Sequence, residues 1–381
     1  MKSTRPIVRQ IARQFVLSAA GTAFAAALLA AGPALAGPSI LVDLGSGKVI
    51  EQEDAFQRWY PASLSKLMTT YVVFRAIQAG EVTLESPVRM TKNAAKEPPS
   101  KMGYAPGSEL TLDNALKIIM VKSANDVATA IGESIAGSEK AFAARMNAES
   151  LRLGMTGSHW VNAHGLHSEE QYSTAHDLAV LARALRTEFP QYESYFKLEG
   201  IVAGNAKIKN HNDLIRRFDG TDGMKTGYTC PAGFNLVATA TRDDRTLLAV
   251  VIGERSSEER AVKAADLLAA GFGAATANAP TLATIKPQGE GLDQPINMRE
   301  RICTKAAYRA RLDAGEVDKN GKVIISSPNL HEPSREPILV AVGLGGATGP
   351  RSPFAAPVEY ADVPIPTPRP DYTPVKASVV Q

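Results

Sequence analysis

An α+β fold is predicted by three observations. A hairpin pattern lies near residue 40, helical patterns run from 62 to 186, and two strand-like runs followed by an apolar helix close at 271. Strands at both ends with helices between them imply that the two ends share one sheet and the helices pack on it.

Each element has a local cause. Ile40-Leu41-Val42-Asp43 and Lys48-Val49-Ile50 flank Gly45-Ser46-Gly47, a hairpin signature. Pro61 suits a first helical turn, and from Ala62 the apolar set Leu64, Leu67, Met68, Tyr71, Val72, Phe74 predicts a mostly buried helix closed by Gly80. Thr111 opens a second helix carrying Leu112, Ala115, Leu116, Ile119 and Met120, which ends near Val121 and Lys122. A third starts at Asp126, a fourth covers about 138–153, and 154–173 reads as irregular. Thr174 with Asp177 three residues on caps a helix to about 186. Residues 234–241 and 246–252 are β-like and joined by the polar turn Arg242-Asp243-Asp244-Arg245; a helix over 258–271 follows. Past 273 the pattern thins: 322–326 and 338–343 are candidate strands, and prolines at 353, 357, 364, 366, 368, 370 and 374 argue for an extended, solvated tail.

The chain of 381 residues begins with an export-signal pattern over 1–36. Lys2, Arg5, Arg9 and Arg13 precede an Ala-rich apolar run, and Ala34-Leu35-Ala36 before Gly37 fits a small-residue cleavage site. Those four are the only charges of the segment, so its removal takes the net charge from +3 to −1 and leaves no cationic excess that would mark a nucleic-acid partner. Periplasmic release without a clear membrane anchor is the expectation. The division read from the sequence is 1–36 signal, 37–275 catalytic domain, 276–348 a C-terminal region of weak pattern, and 349–381 a Pro-rich disordered tail. Cys230 and Cys303 are the only cysteines, and an even pair in an exported chain invites a disulfide. His159, His164 and His167 cluster in sequence, but without Cys or paired carboxylates nearby they do not make a metal site.

The chemistry starts at Ser63. At a helix start its neighbourhood favours negative charge, and Lys66 at i+3 shares its face. A serine hydroxyl needs an adjacent base, and a buried lysine can lose its proton near neutrality and serve as one. Alone the pair is weak: the same spacing recurs at Ser194 and Lys197. Ser123-Ala124-Asn125 lies at a helix–helix junction, and Ser327-Pro328-Asn329 repeats that pattern too. Lys225-Thr226-Gly227 occurs once. In this order the three motifs make the triple of β-lactamases and penicillin-binding proteins. Ser63 attacks a carbonyl, Lys66 takes its proton, and Ser123 relays a proton to the leaving amine. Asn125 holds a substrate amide, while Lys225 and Thr226 meet a substrate carboxylate. Gly227 lets substrate backbone lie on the strand edge. The N–H groups of Ser63 and Tyr228 form the oxyanion hole.

With Pro61 to Lys66, His164-Gly165-Leu166, Asp222 to Thr229 and Gly233-Phe234-Asn235-Leu236 added, the chain resembles the penicillin-recognising serine D-Ala-D-Ala carboxypeptidases, low-molecular-mass penicillin-binding proteins, over about 37–275. The resemblance implies a transpeptidase/β-lactamase-like fold with an antiparallel sheet and a helical subdomain. It also implies a peptidoglycan stem-peptide substrate, acylation by β-lactam antibiotics, His164 among the substrate-binding residues, and no metal or organic cofactor. Ala124 stands where the family usually has glycine, and Tyr228 where it often has histidine. The β-rich stalk and amphipathic anchor of many relatives have no clear counterpart in the pattern here. Three other readings share the machinery. A D,D-endopeptidase needs a wider cleft. A β-lactamase needs a deacylating carboxylate, and the loop here offers Glu169 and Glu170 only beyond the motif. A non-catalytic sensor would lack turnover.

Overall fold

A computed structural model describes residues 37–355. The expected signal and the proline-rich stretch from residue 356 lie outside the described residues. In chain order, β1 (Ser39–Asp43) and β2 (Lys48–Glu53) form the expected hairpin, and a 3-10 turn, Ala62–Leu64, leads into α1 (Ser65–Gln78). β3 (Pro87–Arg89), α2 (Lys92–Lys96) and β4 (Glu109–Thr111) precede α3 (Leu112–Val121), α4 (Asn125–Ala136), α5 (Glu139–Leu153) and α6 (Ala175–Glu188). A second 3-10 turn, Pro190–Tyr195, is followed by β5 (Gly200–Ala203) and β6 (Ala206–Lys209). The chain then forms β7 (Thr221–Thr229), β8 (Gly233–Arg242), β9 (Arg245–Glu254) and α7 (Ser257–Phe272). It closes with α8 (Arg299–Ile302), α9 (Lys305–Asp313) and β10 (Leu339–Val342).

The two ends do share a sheet. Its order is β2-β1-β9-β8-β7, antiparallel throughout, with the hairpin added to the edge of β9. Asp243 and Asp244 both take positive φ between β8 and β9, the geometry a two-residue turn needs to match strand twist. Alternation divides the strands between two cores. Ile40, Val42, Val237, Leu248 and Val250 face the helical side, where α1, α3, α4 and α6 pack. Leu41, Leu236, Ala238, Leu247, Ala249 and Val251 face α7. The helix starts follow the caps: Thr111, Ser138, Thr174 and Ser256 each accept a hydrogen bond from a backbone N–H three residues on.

Two short strand pairs and residues 322–326 differ from the sequence reading, while the candidate strand at 338–343 forms. The pairs β3–β4 and β5–β6 run three or four residues each, too short for periodicity to register. Val323 makes a single bridge to Val317, so 322–326 is no strand. Within 338–343, β10 forms by pairing in parallel with β5, a partner more than a hundred residues earlier. The region after α7 is not loose. Cys230 and Cys303 are bridged, with Cα atoms 5.8 Å apart. The Ser86 hydroxyl donates to Pro350 O at 2.5 Å, and the buried Ser352 hydroxyl to Ile135 O at 2.7 Å, so residues 350–352 lie against the helical subdomain. Among the described residues no helix is long and apolar enough to cross a membrane.

Candidate active site

The helical subdomain meets the free edge of the sheet at β7, and the three motifs converge there around a cleft of about 650 Å³. Ser63, Ser123, Asn125, Thr226 and Gly227 line it. Ser63 sits two residues before the start of α1, in the 3-10 turn, because Ala62 takes φ +48 and breaks the helical path. A left-handed alanine costs about 1–3 kcal/mol and persists only where surroundings hold it. They do. Fully buried Asn235, on β8, donates to Tyr60 O at 3.0 Å and Pro61 O at 3.2 Å while its Oδ1 accepts from Gly253 N–H. Two glycines let the walls close on the turn. A Cβ on Gly165 would stand 1.9 Å from Ala62 O, and one on Gly227 would stand 3.1 Å from Ser63 N. Gly227 therefore serves the approach of the strand to the nucleophile turn, a closer reason than the substrate contact expected of it.

Lys66 is fully buried. Its Nζ lies 3.1 Å from Ser63 Oγ, 2.9 Å from Asn125 Oδ1 and 2.5 Å from His164 O. A neutral amine has two N–H groups and one lone pair. Asn125 Oδ1 and the carbonyl only accept, so they take both N–H groups and the lone pair is left for the serine proton. Burial, helped by the Lys225 charge, holds the Lys66 pKa well below that of an ordinary lysine; Glu97 and Asp126 oppose this without winning. Lys66 therefore gives up its proton more readily than a solvated lysine.

Ser123 takes φ +61 between α3 and α4, and its buried hydroxyl has no hydrogen-bond partner. A hydroxyl so placed is available to a substrate or a proton in transit. Asn125 opens α4 and donates from Nδ2 to Pro98 O, which fixes its amide so that Oδ1 faces Lys66. The asparagine therefore orients the base in addition to any substrate contact. Lys225 is also buried, its amine donating to Thr226 O at 2.9 Å, and burial beside the Arg260 charge lowers its pKa to about 7. Tyr228 is half exposed at the rim, its ring 4.3 Å from that of Phe234 and its hydroxyl 3.3 Å from Cys303 Sγ.

His164 reaches the site through its backbone: the carbonyl holds Lys66, while the ring turns away toward Glu97 and Glu139. The paired carboxylates absent from its sequence neighbourhood come from distant segments. Arg260, on α7, escaped the sequence reading altogether. It lines the cleft, donates to His211 O and Asp213, and keeps its buried Nε without a partner. No motif flags it, because its place beside Lys225 depends on α7 packing against the sheet. A larger cavity of about 1040 Å³ between α7 and the C-terminal segment is lined by Glu254, Arg255, Glu259 and Arg311 but by no serine, threonine, cysteine or histidine. Acyl-transfer geometry belongs to the smaller cleft.

Comparison with known proteins places this geometry among relatives. A family model described as D-alanyl-D-alanine carboxypeptidase matches residues 27–256. D-alanyl-D-alanine carboxypeptidase DacC of Escherichia coli K12 is 35% identical over 266 residues, 68% of this chain and 66% of the relative. DacF of Bacillus subtilis is 33% identical over 238 residues, 60% of each chain. The chain thus spans less than two thirds of the length of these relatives. Among solved structures, D-alanyl-D-alanine carboxypeptidase DacD of Francisella tularensis superposes with a TM-score of 0.62 at 29% identity, covering 64% of this chain and 72% of that one. Penicillin binding protein 5 of Haemophilus influenzae gives 0.60 at 31%, covering 62% and 70%.

Proposed function

The chain belongs to the D-alanyl-D-alanine carboxypeptidase family, and on that premise we propose that it is an exported serine carboxypeptidase removing the terminal D-Ala of peptidoglycan stem peptides. The observation that carries this reading is the buried Lys66 amine, 3.1 Å from Ser63 Oγ, with its two other contacts both pure acceptors.

Ser63 Oγ attacks the carbonyl carbon between the two D-Ala residues as its proton passes to Lys66 Nζ. The carbonyl electron pair moves onto oxygen, where the N–H groups of Ser63 and Tyr228 receive it. Collapse of the tetrahedral intermediate breaks the C–N bond, and the proton reaches the leaving amine through Ser123, whose hydroxyl has no competing partner. Water then repeats the sequence on the ester with Lys66 as base. Asn125 holds both the base and the substrate amide. The peptide lies along the free edge of β7, a position suited to strand-like pairing. Lys225, Thr226 and Arg260 receive the terminal carboxylate, which supplies the charge that two neighbouring cations lack. A β-lactam, which presents an amide carbonyl and a carboxylate together, enters the same way and leaves an ester on Ser63. The decisive experiment incubates the protein with a D-Ala-D-Ala pentapeptide, then with a penicillin followed by peptide mapping. Release of D-Ala and a mass adduct on Ser63 are expected; an adduct elsewhere or no release overturns the reading.

A further inference from the structure

Three segments far apart in sequence meet at the His164 ring. Glu97 follows α2, Glu139 begins α5, and His164 lies in the irregular stretch before α6. The side chain is only 6% exposed, with Nε2 3.3 Å from a Glu139 carboxylate oxygen and 3.5 Å from Glu97. That Glu139 oxygen is buried and has no hydrogen-bond partner, so its approach to Nε2 is a close electrostatic contact; the Glu97 oxygen accepts from the Thr129 hydroxyl. On the other side of the ring, Nδ1 accepts the Leu166 N–H at 3.0 Å.

This last contact decides what the cluster is. One ligand-type atom from each of the three residues lies within 4.8 Å of the others, the spacing of a cation site. Yet a nitrogen accepting a hydrogen bond carries no hydrogen, so in the neutral ring Nε2 bears it and has no lone pair for a metal. The Nε2–H is instead the group set between two carboxylates.

We propose that Glu139 and Glu97 are positioning residues for Lys66: by holding the His164 ring they fix the backbone carbonyl that takes one Lys66 N–H and so aim its lone pair at Ser63. The inference rests on the assignment of Lys66 as base. Lys66 has few alternatives once that carbonyl shifts. Asn125 is pinned by Pro98, and a freed N–H rotates toward Ser63 Oγ, turning the lone pair away. Glu97 has a second effect, because its charge favours protonated Lys66. The other charges acting on Lys66 are Lys225 from β7 and Asp126 from α4.

The test measures the second-order rate of Ser63 acylation by a fluorescent penicillin against pH, together with Tm, for the native protein and for Glu139→Ala, Glu139→Gln and Glu97→Gln. Glutamine still offers the imidazole N–H an acceptor; alanine does not. Glu139→Ala is expected to slow acylation roughly tenfold or more, and Glu139→Gln to restore it to within about twofold. Glu97→Gln should move the acid limb of the profile to lower pH, since loss of that carboxylate lowers the Lys66 pKa and frees the base earlier. Native rates and an unmoved limb in all three variants overturn the proposal. So does a loss in Glu139→Ala that glutamine fails to restore and that tracks a fall in Tm. A native protein that is not acylated at Ser63 is a different failure, that of the functional reading itself.

Discussion

Lys66 at the start of α1 and Lys225 on the edge strand β7 are each at most 1% exposed, and burial lowers the pKa of both. Their surroundings differ. Lys66 has two fixed acceptors and a hydroxyl within 3.1 Å, a complete set for a neutral amine. Lys225 has one backbone acceptor and a neighbouring arginine, a set that an incoming anion completes. Burial alone therefore does not assign a lysine its task. The unfilled partner does: on the proposed function it is a proton donor for Lys66 and a carboxylate for Lys225.

The contrast breaks first at the base. Lys66→Ala should lower Ser63 acylation by about 10²–10⁴-fold, the range of a lost general base, with Tm little changed. Intact-mass kinetics with penicillin measure it, and a rate near native would mean another group takes the proton. The clamp at the end of β7 comes next. Cys230→Ser with Cys303→Ser should cost about 3–5 kcal/mol of stability, the chain-entropy value for a bridge between residues 73 apart in sequence. Denaturant titration reads the loss. Because the bridge anchors only the strand side, acylation chemistry at Lys66 should persist in the folded variant while the peptide KM rises.

Lys225→Ala should reduce kcat/KM for D-Ala-D-Ala peptides by about 1.5–3 kcal/mol, roughly ten- to a hundredfold. Amidating the terminal carboxylate should cost the native enzyme a similar factor and the variant little, since the contact is already gone. A native enzyme indifferent to amidation would remove carboxylate recognition from Lys225 and favour cleavage within cross-links. The smallest effect is a matter of pH. Burial beside Arg260 lowers the Lys225 pKa to about 7 in the free protein, and on the proposed function its cationic form attracts the substrate. The kcat/KM profile should then fall above about pH 7 for free-acid peptides. Lys225→Arg keeps its charge and should lose that limb; an unchanged limb would trace it to another group. The same titration sets a stability trend: between the folded pKa near 7 and the ordinary lysine value, the unfolded chain holds the extra proton, so stability rises with pH across that window.

How much of this was legible depends on the distance over which each feature is specified. Ser63 and Lys66 are three residues apart, and one helical turn brings them together whatever surrounds them. Thr111, Ser138 and Thr174 announce their helices because a cap bonds three residues ahead. The Asp243-Asp244 turn sets its own hairpin register. The order of the three motifs, read as a resemblance, brought Ser123 and Lys225 to the same site before any coordinates did.

Where the controlling contact is remote, the residues are silent. The pairs β3–β4 and β5–β6 are too short to carry a period, and β10, which reads as a candidate strand, carries no local sign that its parallel partner is β5. Gly227 reads as a glycine in a strand, and only the packed Ser63 turn shows what its missing side chain makes room for. Arg260, Glu97 and Glu139 carry no motif, since their roles arise from α7, α2 and α5 meeting elements distant in sequence. The sequence by itself determined the pairing of Ser63 with Lys66, the helix starts and the strand hairpins, all set by interactions within a few residues. Tertiary structure alone decided which acceptors surround each lysine and how far each is desolvated. The reason is physical: a pKa and a lone-pair direction depend on what lies within a few ångströms in space, and most of those atoms are supplied by remote parts of the chain.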